Sequence, residues 1–341
     1  MTTAPSTREA IYTVVGGGAI GGTLATHLAL AGRPVQIVDT DSAHIAAIHQ
    51  KGMRIESPSG VLETRIPAFE LADAPSELGP VLLAVKSQAT GSAMEWIAPR
   101  LRNDGYVASL QNGLNEATIA KHIGADRTVI AFVDLFADLL EPGVIQDGGI
   151  GTIALGEFAG GRSTRVDRLA EDLAHWGSPI VSGNVSGFLW SKLAFGAMLT
   201  ASSFIDEDMS KVISENRSPM LGLAREIFAV SDALGLRLEG FDAFAPDNYR
   251  VNSSDRTING AFDLLSEWLA GQTKTRSGIW RDINVRKRPT EVPSHYKPVF
   301  TVADEQGVET PKLRAMVEVI GELERDESSM GASLMQRVDK A

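Results

Sequence analysis

Three glycines spaced as Gly16-x-Gly18-x-x-Gly21 follow directly on the apolar run Tyr12-Thr13-Val14-Val15 and lead directly into an apolar helical pattern. A strand, a glycine turn and a helix in that order let a backbone approach a pyrophosphate, whose charge then rests on free amides at the helix N-terminus. Gly17, Ala19 and Ile20 complete this turn and are expected to line the same ligand. A second β-type run, Pro34-Val35-Gln36-Ile37-Val38, ends on Asp39, eighteen residues past Gly21. An acid at about that distance accepts hydrogen bonds from an adenosine ribose and repels a 2′-phosphate. Thr40, Asp41 and Ser42 follow, with no arginine to hold such a phosphate. The expected cofactor is therefore NAD in preference to NADP. The competing role for Asp39 or Asp41 is to cap the helix that begins near Ser42.

Composition narrows the remaining chemistry. A chain of 341 residues can hold two domains, and 43% hydrophobic with 22% charged residues is ordinary for a soluble globular protein. The net charge of −11 leaves no basic surplus for nucleic acid or an anionic membrane. The absence of cysteine excludes disulfides, thiolate catalysis and cysteine-held metals. The six histidines, at 27, 44, 49, 122, 175 and 295, form no H-x-x-x-H pair and no metal constellation. No apolar run approaches the roughly 18 residues of a membrane span, and residues 1–10 lack a secretory pattern. A cytoplasmic enzyme acting on a small molecule is expected. A homodimer is compatible with the chain, although no residue specifies one.

These residues need elements to position them. From residue 11 to about 158, β-type runs alternate with helical patterns, which predicts βαβ units and a mainly parallel sheet. Residues 42–51 read as a helix and 53–70 as a hairpin turning at Ser57-Pro58-Ser59-Gly60. The continuous apolar run 81–85 suits a strand buried on both faces, and 106–110 and 129–133 repeat it. Residues 144–145 and 150–155 read as antiparallel additions, 164–176 as a helix and 179–181 as a short strand. Beyond the loop Ser182-Gly183-Asn184-Val185-Ser186-Gly187 only helices are read, at 188–204, 219–234, 257–269, 298–306 and 311–325, with a loosely held polar tail from 326. The fold class is thus α/β, a Rossmann-type dinucleotide-binding domain (1–184) followed by an all-helical substrate and catalytic domain (185–341).

An open α/β sheet binds ligands at the carboxyl ends of its strands. Lys86-Ser87-Gln88 ends the run 81–85, and Gln111-Asn112-Gly113 ends the run 106–110. These loops, the glycine turn, Trp190-Ser191-Lys192-Leu193 and Arg288-Pro289-Thr290-Glu291-Val292 resemble the motifs of the ketopantoate reductase (2-dehydropantoate 2-reductase) superfamily, in the family's order and over residues 11–325. The resemblance implies Lys192 as the general acid on the substrate oxygen, Asn112 beside nicotinamide and substrate, Lys86 on the cofactor side, and Glu291 holding the nicotinamide ribose and the lysine. Burial and neighbouring charge can bring a lysine toward such a role. On periodicity alone, Lys192 could equally face water from an apolar helix, Glu291 could be one charge in a charged stretch, and Asn112-Gly113 could be a simple turn.

The chain departs from the family where the substrate would lie. Two asparagines usual at four and eight residues past the lysine are Gly196 and Thr200 here. The serine for the substrate carboxylate falls at Ser277 or Gly278, and the stretch 282–291 is one residue longer. Pro293, Ser294, His295, Tyr296, Lys297 and Pro298 stand where an aspartate and an Asn-Gly are common. The resemblance therefore implies an NAD(P)-dependent oxidoreductase of a small hydroxy or oxo acid with a rebuilt pocket for an acid bulkier than ketopantoate. The alternatives are a true 2-dehydropantoate 2-reductase of pantothenate synthesis and a non-catalytic dinucleotide-binding sensor.

Overall fold

The structure is a computed structural model in which residues 10–135, 137–149 and 151–341 are described. The chain forms two compact units, one of residues up to Gln111 with Asn115–Gly183, the other of Asn112–Leu114 with Asn184–Ala341.

The first unit alternates strands and helices as β1 (Tyr12–Val15), α1 (Ala19–Leu30), β2 (Val35–Val38), α2 (Ser42–Lys51), β3 (Met53–Ser57), β4 (Gly60–Thr64), β5 (Ala68–Phe69), β6 (Val81–Leu83), α3 (Thr90–Ile97), β7 (Val107–Ser109), α4 (Glu116–Ile123), β8 (Thr128–Asp134), β9 (Ala137–Glu141), β10 (Val144–Asp147), β11 (Thr152–Glu157), α5 (Thr164–Leu173) and β12 (Ile180–Val181). Eight strands make the main sheet in the order β12-β11-β8-β7-β6-β1-β2-β5. Only the β11–β8 pairing within it is antiparallel. Strand order reverses at β1, between β6 and β2, which is where a doubly wound sheet opens a binding crevice. Alternate residues feed opposite cores. Leu82 joins Val14 and Leu24 on one face, and Val81 and Leu83 join Met94 and Ile119 on the other. Burial on both faces accounts for the unbroken apolar run of β6.

Two strand expectations need correction. The hairpin β3–β4 belongs to a second sheet of order β4-β3-β10-β9, and only β5 from the same stretch reaches the main sheet. Residues 144–145 lie in β10 of that second sheet, antiparallel to β9 and parallel to β3. Of the expected strand 150–155, Ile150 lies outside the described residues, and β11 adds antiparallel to β8.

The second unit contains α6 (Val185–Ser202), α7 (Met209–Glu215), α8 (Arg217–Ala233), α9 (Asp255–Ala270), α10 (Gly278–Asn284), α11 (Val292–Gln306), α12 (Pro311–Glu324) and α13 (Ala332–Lys340). α6 packs against α7, α8, α10, α11 and α12 and is the axis of the unit. Gly187, read from sequence as loop, lies inside α6, and it is glycine because a Cβ there would stand 2.3 Å from the Arg237 carbonyl oxygen. α11 starts with Pro293 in its first turn, a position that suits proline; Pro298, the expected start, sits inside it. The tail is not loose. α13 buries Leu334, Met335 and Val338 against α8 and α12, one amphipathic stripe that the polar residues around it obscured. α7 and α10, seven residues each, escaped periodicity.

Candidate active site

In the first unit, the turn after β1 is shaped by three different demands on its glycines. Gly16 has φ +97, and a Cβ there would lie 2.7 Å from the Val85 backbone nitrogen at the end of β6. A Cβ on Gly21 would lie 2.0 Å from the Gly16 carbonyl oxygen, so α1 can start this close to β1 only as glycine. At Gly18 a Cβ would meet nothing within 4 Å. Gly18 is the N-cap of α1 without a side-chain cap, and the first turn of the helix carries no acid. Its free N–H groups therefore face open space beside half-exposed Ala19 and Ile20. That arrangement fits a phosphate.

Asp39 leaves β2 half-buried, its Oδ2 accepting from the Gly17 N–H (2.6 Å) and its Oδ1 from the Asp41 N–H (3.0 Å). The carboxylate is thus fixed against the glycine turn. The capping role falls to Asp41, whose side chain accepts from the His44 N–H at 3.0 Å. His44 supports this turn, a placement that sequence reading passed over. The Gly143 N–H donates to its Nδ1 (3.0 Å), which leaves Nε2–H to donate to the Gly17 carbonyl (2.9 Å). Buried His44 therefore ties the phosphate turn to the β9–β10 turn. Only its place one turn into a capped helix hinted at such a role.

Lys86, half-buried, follows β6 and leads into a single 3-10 turn. Behind it, the Gln111 amide donates to the Val85 carbonyl (2.9 Å) and the Thr90 hydroxyl (2.8 Å), and the single proton of Thr90 is shared between Ser87 O (2.8 Å) and Asn115 Oδ1 (3.1 Å). This network holds the ends of β6 and β7 at fixed spacing. Glu116 opens α4 beside it. The residue is 4% exposed, and its Oε1 has no hydrogen-bond partner among the described residues. Burial pushes its carboxyl up to about 7, against the pull of the Glu116 and Asn115 backbone N–H groups.

In the second unit, Lys192 sits on α6, a helix buried on every side except for Ser186 and the stripe Lys192, Gly196 and Leu199, all half-buried. Those last three positions share one face at i, i+4 and i+7. Thr200 does not join them. It is 1% exposed, and its hydroxyl donates to the Gly196 carbonyl at 2.8 Å. In this structure the Thr200 hydroxyl is turned to its own helix. The Tyr296 hydroxyl, buried on α11, donates to the Leu193 carbonyl at 3.0 Å and clamps α11 to α6 one residue from Lys192. Burial raises that phenol above its ordinary range. A Cβ on Gly196 would lie 3.5 Å from the same hydroxyl, an ordinary contact. Ser277 is buried and caps α10, its Oγ accepting from the Trp280 N–H at 3.2 Å, and α10 packs against α6.

Glu291 is the N-cap of α11 but does not cap it with its side chain. Its Oε1 lies 3.9 Å from His295 Nε2, one helical turn on, with the two side chains 22% and 19% exposed. Asn112-Gly113 lies against the same imidazole. Gly113 has φ +84, and a Cβ on it would be 3.1 Å from His295 Cδ2. Gly113 and Glu291 thus both lie beside His295, and the next residue, Tyr296, bonds the Leu193 carbonyl next to Lys192 in the chain. The longer stretch 282–291 is taken up by a tight turn in which Lys287 has φ +48 and Arg286 and Arg288 both pair with Asp282.

A Rossmann-type unit with a phosphate-shaped turn, followed by a helical unit that presents a lysine, an asparagine and a glutamate, defines an NAD(P)-dependent oxidoreductase. The comparisons are specific. Residues 12–160 match the family model "Ketopantoate reductase PanE/ApbA" and residues 184–324 its C-terminal partner. The chain belongs to the ketopantoate reductase family. It is 27% identical over 342 residues to the 2-dehydropantoate 2-reductase of Mesorhizobium japonicum, covering 91% of this chain and 97% of that protein. Among solved structures, a D-mandelate dehydrogenase with NADH and anilino(oxo)acetate matches at TM-score 0.79 and 18% identity, over 93% of this chain and 99% of that one. A PanE/ApbA family ketopantoate reductase from Ralstonia eutropha matches at TM-score 0.76 and 23% identity, over the same shares. Among the described residues no helix is long and apolar enough to cross a membrane.

Proposed function

We propose that this protein interconverts a 2-oxo acid and the corresponding 2-hydroxy acid, that it prefers NAD(H), and that its substrate carries an apolar group bulkier than that of ketopantoate. The observation that carries the reading is the half-buried stripe on α6, where Lys192 is followed by a side-chain-free Gly196 and an apolar Leu199. Gly16 to Gly21 and Asp39 would hold the dinucleotide, with Lys86 beside them. When bound, its nicotinamide supplies or accepts the hydride at the carbonyl carbon.

Lys192 gives its ammonium proton to the carbonyl oxygen in reduction and takes it back in oxidation. Asn112 can donate to that oxygen or accept from a hydroxyl, and Glu291 orients the lysine. Gly196 leaves room beside Lys192 and offers no amide for a substrate hydroxyl. Each hydroxyl left unpaired weakens binding by about 1–3 kcal/mol. Cytoplasmic residence is part of this proposal. The second reading, reduction of ketopantoate itself, is favoured by the full-length match to 2-dehydropantoate 2-reductases. A sensor without turnover would have no use for a proton donor at Lys192.

A panel of 2-oxo and 2-hydroxy acids assayed with NAD and NADP by reduced-nicotinamide absorbance tests the proposal. The expected result is turnover of acids with apolar side groups and poor reduction of ketopantoate. A kcat/KM for ketopantoate above about 10⁴ M⁻¹s⁻¹ supports the second reading instead, and no turnover of any acid rejects both.

A further inference from the structure

His295 belongs to none of the roles assigned above, yet it lies beside both Glu291 and the Asn112-Gly113 turn. Its Nε2 lies 3.9 Å from Glu291 Oε1, in the i, i+4 arrangement with the acid N-terminal that favours pairing. The adjoining ring carbon faces the Asn112-Gly113 turn so closely that a Cβ on Gly113 would stand 3.1 Å from Cδ2 and 3.6 Å from the His295 Cα. The ring cannot swing away by rotation of its helix. The next residue, Tyr296, is buried and bonded to Leu193 O, and the His295 N–H is bonded to the Glu291 carbonyl at 3.0 Å. One face of α11 is thus locked on α6, and the adjacent face carries the imidazole between an acid and a turn.

We infer that His295 is a positioning residue that sets the spacing between the Glu291 carboxylate and the Asn112-Gly113 turn, so that both meet the same bound molecule. This role rests on the function proposed above. The imidazole forms no bond with the reacting atoms. It restrains the carboxylate through a polar contact and the turn through van der Waals contact, and so preserves the arrangement on which Lys192 depends. Gly113 has φ +84 and no side chain, which lets the turn approach the ring this closely.

Two measurements test the inference. In the full-length protein, His295→Ala should lower kcat about 10–100-fold while dinucleotide affinity, read by fluorescence titration, stays within about threefold. His295→Gln, which keeps a hydrogen-bonding group of similar reach, should recover most of the loss, and added imidazole should partly rescue His295→Ala. A His295→Ala protein that keeps more than half of kcat, or equal losses in the alanine and glutamine variants, would overturn the assignment. The second measurement needs no turnover. The His295 ring resonances, identified by their loss in His295→Gln, should move on Glu291→Gln and again on Asn112→Ala. Resonances unmoved by either change would overturn the inference. Failure of the acid panel alone would reject only the proposed reaction.

Discussion

Replacing Glu116 by glutamine should make the protein more stable, and by an amount that depends on pH. The carboxyl is 4% exposed at the start of α4, has one oxygen without a hydrogen-bond partner among the described residues, and titrates near 7 because burial outweighs the two backbone N–H groups beside it. In the unfolded chain the same group titrates at the ordinary 4.5. Below about pH 4.5 both states hold the proton and the group costs nothing. Between the two values the unfolded chain gives up its proton first, so the folded state is progressively disfavoured as pH rises, and above about 7 the full cost is present. At about 1.4 kcal/mol per tenfold change, the gap amounts to roughly 3 kcal/mol, an upper bound because opening of the first helical turn would admit water.

Glutamine of nearly the same size never ionises, so the gain of Glu116→Gln over wild type should grow by about 2–3 kcal/mol between pH 4.5 and pH 8. In thermal melts read by circular dichroism this corresponds to a difference in midpoint growing by about 5–10 °C. Melting curves whose separation is the same at both pH values would refute the reasoning and show that the carboxylate is solvated or paired in the folded protein.

Gly18→Ala and Gly21→Ala should part company. The first adds a Cβ in open space and should leave stability within about 1 kcal/mol while weakening dinucleotide binding at least tenfold; the second forces a Cβ 2.0 Å from the Gly16 oxygen and should destabilise the fold by more than about 2 kcal/mol. Denaturant titration and fluorescence titration read the two effects. His44→Ala removes both bonds that tie the Gly17 carbonyl to the Gly143 N–H and should weaken dinucleotide binding about fivefold or more by the same titration. Wild type should favour NAD over NADP by about tenfold or more in kcat/KM, and Asp39→Ala should narrow that ratio; equal use of NADP by wild type contradicts the role given to Asp39.

The parts of the fold read correctly from sequence are those whose pattern is local. The glycine spacing, the doubly buried runs at β6 and β8, and the long helices α6, α8, α9 and α12 each declare themselves within a dozen or so residues. What escaped depends on partners distant in sequence. The second sheet pairs β3 with β10, about ninety residues apart, and no local pattern announces which sheet a hairpin joins. α13 reads as polar unless the surface it covers is known. At the site, the glycine turn and the ends of β6 and β7 were legible because strand ends and glycine geometry have a local cause. That the Thr200 hydroxyl finds the Gly196 carbonyl on its own helix is an outcome that sequence spacing cannot separate from an outward pose. The placements of His44 and His295 escaped sequence reading because each meets a turn on another segment, Gly143 for one and Gly113 for the other.

Lys192 is the proposed proton donor, and the kinetics of Lys192→Ala decide whether it is. The residue is half-buried on a helix otherwise enclosed by its own unit, one position from the Leu193 carbonyl that anchors α11. With a turned-over acid at saturation, the variant should lose about 10²–10⁴ in kcat while dinucleotide affinity, titrated by fluorescence, stays nearly unchanged. A variant that keeps more than about a third of the wild-type kcat would contradict the account, because a surface lysine alone could then explain the residue.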